Sequence, residues 1–481
     1  MSFVEPLFLF VFLPLVFAAY WIVPQAWSNG VLVAASYLFY AAGEPAFLPW
    51  LLAAVAANHG IVGALTRVHD HWLRPCLLVV GITGNLALLG WFKYGTLVLE
   101  LVGDLWPNIL GNSFSLPEIG LPLGISFFTF QSISYLIDVY RGSVPPQGRF
   151  FGTALYIGLF PQLIAGPIVR YHEIRDQLWQ RAKEYEDVLV GIRRFIMGLG
   201  KKVLLANTFA WPADEAFAAS AMEGLSAGAA WFAIVCFALQ IYFDFSGYSD
   251  MALGLGRMFG FRLPENFNYP YAATSFTTFW RRWHITLSHW FRDYLYIPLG
   301  GNRRSSVRTF FNLVVVFSLC GLWHGANWSF LWWGWLHGFL LIVERLWVGY
   351  RVERGRLLRC LQRMVFLVVL LITWVSFRAD SAGEALTYYR QMLALEQRHD
   401  EVLILGDLLN RELGFHLLLG CLIAGGLFKG GLTVFGADSP STRGVIDQVR
   451  GYQDWWWALV LVLSMAQVAT ATYSPFIYFR F

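Results

Sequence analysis

Residues 320–338 read CGLWHGANWSFLWWGWLHG. His324 and His337 stand there in a run otherwise apolar, aromatic and glycine-rich, with further apolar stretches on either side at 311–319 and 339–343. The medium around this run decides the fold. In lipid an ionisable side chain is expensive, and one that persists marks a site facing a protein interior or a wet cavity.

The composition points to lipid. Hydrophobic residues make up 57% of the 481 and charged residues 14%, with 22 Trp and 41 Phe, whereas a soluble domain carries about 25% charged residues. A helical span needs roughly 20 apolar residues. Stretches that reach or approach this length lie at 3–23, 30–42, 47–65, 76–102, 120–138, 151–168, 188–210, 227–245, 309–322, 328–348, 364–377, 413–428 and 455–471. Several are short or broken by Gly and Pro, so the expectation is an all-α polytopic membrane protein of about ten to twelve spans. Re-entrant pieces should complete it, since irregular backbone at that depth survives only where protein or a cavity surrounds it. Residues 3–23 carry Glu5 instead of an early Lys or Arg and show no small-residue cleavage site, which favours an uncleaved first span over a secretory leader.

Other functions recede. A net charge of +4 spread over many loops leaves no footprint for nucleic acid, and the five cysteines have no ligand spacing. His69 and His71 flank Asp70 in a short polar loop, which reads as solvated. Asp244 and Asp250 lie in an apolar setting among hydroxyls, where bonding to hydroxyls or to an Arg is the commoner state, so no metal is expected. Arg193, Arg194, Lys201 and Lys202 suggest a cytoplasmic side by the positive-inside bias.

Three further stretches bear on chemistry. Residues 120–142, with Gln131, Ser132, Ser134 and Asp138, are too polar to face lipid and too apolar for a loop, which suits a cavity lining. In 279–308, Phe279, Trp283, Leu287, Trp290 and Tyr294 form one stripe and Arg281, Arg282, Ser288, His289 and Arg292 the opposite arc, the pattern of an interfacial amphipathic helix with His284 at its border. The basic turn after Gly300-Gly301, with Arg303, Arg304 and Arg308, orients the chain or receives a polyanion such as the phosphates of coenzyme A. The end, SPFIYFRF (474–481), is aromatic where termini are usually polar, with one phenol at Tyr478.

The stretches LPLGISFFTFQSISYLIDVYRG (121–142), FPQLIAGPIVR (160–170), YFDFSGYSDMALGLG (242–256), ENFNYPY (265–271), FWRRWHITLSHWFRDYLYIPLGGNR (279–303), GLWHGANWSFLWWGWLHG (321–338) and SPFIYFRF together resemble the membrane-bound O-acyltransferase (MBOAT) family. The nearest branch is the bacterial alginate O-acetyltransferase type, and the D-alanyl transfer protein of teichoic acid modification is a more distant likeness. The resemblance implies a single domain over 1–481, a helical bundle around a membrane-crossing cavity in the bacterial inner membrane. It implies catalytic roles for His324 of the WHG motif and His284 of the RWH motif; Asn327, Arg281 and Arg282 are candidate substrate-binding residues, and Tyr478 is either an acyl relay or part of an aromatic plug or belt at the interface. Acetyl-CoA would be the donor co-substrate, no cofactor being held permanently, and an SGNH-type periplasmic acetyltransferase with polysaccharide export machinery the partners.

An imidazole with an ordinary pKa near 6.5 can take a hydroxyl proton at neutral pH, and no Ser-His-Asp set or Cys nucleophile is evident, so direct acyl transfer is expected with His324 as general base. The plain alternative is a buried histidine bridging helices. His337, thirteen residues on, faces away from His324 if the helix is continuous and reads as structural. A transporter or flippase also buries polar groups along a path, and a scaffold without chemistry is the third class. Neither the polymer nor the oligomeric state is legible.

Overall fold

A computed structural model describes residues 1–105, 120–222, 224–347, 356–395, 403–427, 443–470 and Phe476. The described residues are helical apart from turns, loops and one isolated bridge between Leu225 and Leu403. Among the described residues, five helices are long and apolar enough to cross a membrane: Pro45–Arg67, Leu73–Leu99, Ala227–Met258, Ser306–His324 and Leu357–Arg378; Phe8–Ile22 and Trp455–Thr470 are shorter apolar helices.

Contacts divide the chain into two compact units, Met1–Gly191 with Leu255–Pro264, and Ile192–Gly254 with Glu265–Phe481. The first contains α1 (Leu13–Ile22), α2 (Gln25–Gly43), α3 (Leu48–Arg67), α4 (Leu73–Leu105), α5 (Ile125–Tyr140) and α6 (Phe150–Gly158). The cavity-lining stretch becomes α5, which starts five residues later than the apolar run. Gly124 ahead of it is left-handed (φ 75°), and a Cβ there would lie 2.3 Å from the Leu163 carbonyl oxygen, so only glycine permits that entry. The polar residues of α5 are buried in protein, with Asp138 3.0 Å from the His172 ring nitrogen. Asp70 is exposed, as a solvated loop requires, and its carboxylate accepts from the backbone N–H groups of Trp72 and Leu73 at the start of α4.

The long helices of the second unit begin with the end of α7 (Tyr185–Gly200), then α8 (Asn207–Ala221) and α9 (Ala227–Met258). Over the apolar run 188–210 the helix stays continuous and passes through a π-helical turn at Lys201–Ala206, where α7 hands on to α8. In α9, 72% of the apolar window is buried, against 22–39% in the other four spans, so it is walled by protein. That explains how it carries two carboxylates. Asp250 accepts from Arg194 at 2.7 Å and Lys201 at 2.6 Å, Asp244 pairs with Lys202, and Arg194 also reaches Glu265 at 2.7 Å. Arg194, Lys201 and Lys202 thus serve internal acids. A cation beside a buried carboxylate is held by that carboxylate.

Next come α10 (Ser306–His324), α11 (Trp328–Trp347), α12 (Arg356–Arg378), α13 (Ala382–Met392), α14 (Arg411–Ala424) and α15 (Arg443–Thr470). α10 and α11 form a hairpin whose backbones touch. A Cβ on Gly334 would lie 2.2 Å from the Phe317 carbonyl oxygen and one on Gly321 2.4 Å from that of Phe330. Small residues bring membrane helices this close because packing is the main attraction available in lipid. α13 is held on one face: the Tyr388 hydroxyl donates to the Ala230 carbonyl at 2.9 Å and its ring stacks on Phe217 at 4.4 Å.

Candidate active site

The hairpin turn places His324 as the last residue of α10, just before Gly325 in extended backbone. The imidazole is 4% exposed and caged by aromatic rings. Trp323 lies 4.8 Å away between centroids, Phe377 of α12 at 5.0 Å, Trp333 of α11 at 5.1 Å and Phe330 at 6.3 Å.

His284 reaches the same neighbourhood from another stretch. The stripe Phe279, Trp283, Leu287, Trp290 and Tyr294 is buried as its periodicity predicts. The helix itself is not continuous: it breaks into Phe276–Trp280 and Ile285–Phe291, with His284 left-handed (φ 42°) between them. The expected single interfacial helix is corrected accordingly. For a non-glycine residue this backbone is strained by about 1–2 kcal/mol, and hydrogen bonds from the ENFN stretch hold it. Asn268 N–H donates to the Arg282 carbonyl and Ile285 N–H to the Asn266 carbonyl, both at 2.9 Å. The Asn266 amide oxygen accepts from the His284 ring Nδ1 (3.2 Å), Thr286 N–H (3.3 Å) and the Thr286 hydroxyl (2.9 Å), while its NH₂ donates to Ser249 at 3.1 Å. Nδ1 therefore carries the proton and Nε2 the lone pair. Trp323 stands 5.9 Å from the His284 ring, so one indole touches both imidazoles.

The sequence profile of the membrane-bound O-acyltransferase family matches residues 149–375, which include both histidines. A probable alginate O-acetylase of Pseudomonas aeruginosa is 41% identical over 82% of this chain and 75% of its own length, and one of Pseudomonas putida is 37% identical over the whole of both. A peptidoglycan O-acetyltransferase of Helicobacter pylori is 36% identical over 81% of this chain and 79% of its own.

The chain belongs to the membrane-bound O-acyltransferase family. This MBOAT chain is thus a membrane enzyme of acyl transfer.

The other expected site residues are placed unevenly. Arg281 is exposed; Arg282 is half-buried, with one guanidinium nitrogen (Nη1) buried and lacking a hydrogen-bond partner. Both ends of the Asn327 amide are engaged: its NH₂ donates to the Asp380 carbonyl and its oxygen accepts from Ser329 N–H at the start of α11. Asn327 ties the hairpin turn to the end of α12. Tyr478 lies outside the described residues. Its neighbour Phe476 is 1% exposed, edge-on to Tyr248 at 4.9 Å and under the Lys202 ammonium at 4.6 Å.

Two features escaped the sequence reading. Asn266 orients His284, and the ENFNYPY motif was visible, but nothing in one sequence says which distant segment an amide reaches. His337 does not face away from the site. The chain reverses at Gly325, and His337 packs on Trp333 at 4.8 Å, the same indole that borders His324.

Proposed function

We propose that this protein moves acetyl from cytosolic acetyl-CoA toward a periplasmic acceptor, for O-acetylation of an exported polysaccharide, with His324 as general base. The observation that carries this reading is the aromatic cage that joins His324 and His284 through Trp323 and keeps both rings buried. The acceptor hydroxyl gives its proton to His324 as its oxygen bonds to the thioester carbonyl carbon. The carbon–sulfur bond then breaks, and the departing thiolate recovers the proton from the imidazolium. General-base assistance of this kind is worth typically 10²–10⁴ in rate. His284, with Nδ1–H fixed on Asn266, presents its Nε2 lone pair and positions one of the reactants. Arg282 offers a partnerless cationic N–H group for a donor phosphate, with Arg281 beside it.

The reading includes a bundle of ten to twelve spans with re-entrant pieces around a cavity crossing the bacterial inner membrane, so that the charged donor stays in the cytoplasm. An SGNH-type acetyltransferase would receive the acyl group outside, alongside the export machinery. Tyr478 is a relay on this scheme, a phenol that takes acetyl as an aryl ester. The names of the relatives favour alginate as the polymer.

The experiment is radiolabelled acetyl-CoA given to the purified protein, wild type and His324→Ala, beside polymer analysis in cells. The reading expects the variant to stay folded, export polymer and lose acetylation alone. Wild-type acetylation by the variant, or loss of export with chemistry intact, sinks it in favour of a base elsewhere or of a transporter.

A further inference from the structure

His337 is fully buried, and its Nδ1 accepts a hydrogen bond from the Trp280 indole N–H at 3.3 Å. In the neutral ring the proton is then on Nε2, and Nε2 is buried with no hydrogen-bond partner among the described residues. The Trp333 indole N–H is in the same state: Trp333 is 1% exposed and its Nε1 has no partner. The two rings pack at 4.8 Å between centroids, and Trp333 also meets the His324 ring edge-on at 5.1 Å. Two buried donors on packed rings, each costing free energy while unsatisfied, call for a shared acceptor that the described residues do not supply. The remaining rings around His337 are Phe276, Phe279 and Phe317, which offer no lone pair.

We infer that the His337 Nε2–H and Trp333 Nε1–H groups receive the carbonyl oxygen of the acyl thioester. This deepens the proposal for His324 and rests on it. As the acceptor oxygen bonds to the carbonyl carbon, the C=O electron pair moves onto the carbonyl oxygen, and the two N–H donors hold that negative charge. When the carbon–sulfur bond breaks, the pair returns to rebuild the carbonyl. Donors fixed in a dry site suit this role because they need not reorganise as charge develops. His337 is then a catalytic residue that no family motif quoted above singled out, and it acts as donor where His324 acts as acceptor.

The test uses the full-length protein in lipid nanodiscs with acetyl-CoA, measuring thiol release, in Trp333→Phe, His337→Leu and His337→Gln. Trp333→Phe deletes the N–H and keeps a six-membered ring, while His337→Gln restores an N–H at similar reach. Losing one such donor costs about 10²–10³ in kcat. The expected result is a loss of that size in Trp333→Phe and His337→Leu with KM little changed, and partial recovery in His337→Gln. Rates within threefold of wild type, with His324→Ala inactive, would overturn this inference alone and assign the two donors to a trapped water. Full activity in His324→Ala as well would remove the general-base reading beneath it. Should a variant lose its fold, infrared spectra of carbonyl-¹³C acetyl-CoA bound to the slow His324→Ala protein decide: a carbonyl stretch lowered relative to free donor supports the inference, and an unshifted one refutes it.

Discussion

Replacing Gly334 with Ala puts a methyl carbon where the backbone of α10 already lies. The new Cβ would stand 2.2 Å from the Phe317 carbonyl oxygen, and since such contacts essentially never fall below 3.0 Å, the helices must open by about 0.8 Å at their crossing. Neither neighbour is a flexible side-chain end that could step aside, because the clash is with main chain. Overpacking of this kind costs about 1–3 kcal/mol. The larger effect falls on catalysis: Trp333 and His324 sit on opposite arms of the hairpin with centroids 5.1 Å apart, and a misplacement of about 1 Å can cost about 10²-fold in rate. We expect Gly334→Ala to lower the melting midpoint in detergent and reduce thiol release from acetyl-CoA by one to two orders of magnitude. Gly338→Ala is the graded control, since its Cβ would meet Phe317 Cβ at 3.3 Å and its effect should be much smaller. Wild-type activity and melting in Gly334→Ala would show that the crossing does not set the site.

Asp250→Ala strands Lys201 and takes one of two carboxylates from Arg194, which should cost about 3–5 kcal/mol in chemical unfolding, whereas Glu265→Ala, at a carboxylate 56% exposed, should cost no more than about 1 kcal/mol. Equal effects would mean that the pair at Asp250 is not desolvated. Asn266→Ala removes the acceptor shared by His284 and Thr286 and should destabilise by about 1–3 kcal/mol. It should also lower kcat beyond what its folded fraction explains, and a loss matching that fraction would reduce His284 to packing. Tyr478→Phe should abolish acetyl delivery to the external acceptor and, because the phenol is the hydroxyl that takes acetyl from the thioester, lower thiol release with it; unchanged delivery would leave the terminal aromatics as a plug.

What a single sequence exposed was periodicity and cost. The stripe from Phe279 to Tyr294 is buried because apolar spacing survives a local break, but the break at His284 left no trace in that spacing. It depends on hydrogen bonds from Asn266 and Asn268, which are tertiary. His324 was legible because an imidazole among tryptophans is conspicuous. His337 was misplaced because its bearing was judged from a straight helix, whereas the GANW turn reverses the chain. The pairing of Arg194, Lys201 and Lys202 was not legible because their partners on α9 lie about 40 to 60 residues away. Net basicity carries no information about such pairing.

The contact of α10 with α11 also limits how this enzyme could be re-engineered. Where the backbones meet at Gly321 and Gly334 there is no side chain left to trim, so room for a bulkier acyl chain cannot be carved from that wall. Space has to come from Phe330, Phe377 or Trp323, the rings against His324, and a search for altered chain-length preference should begin with those three positions.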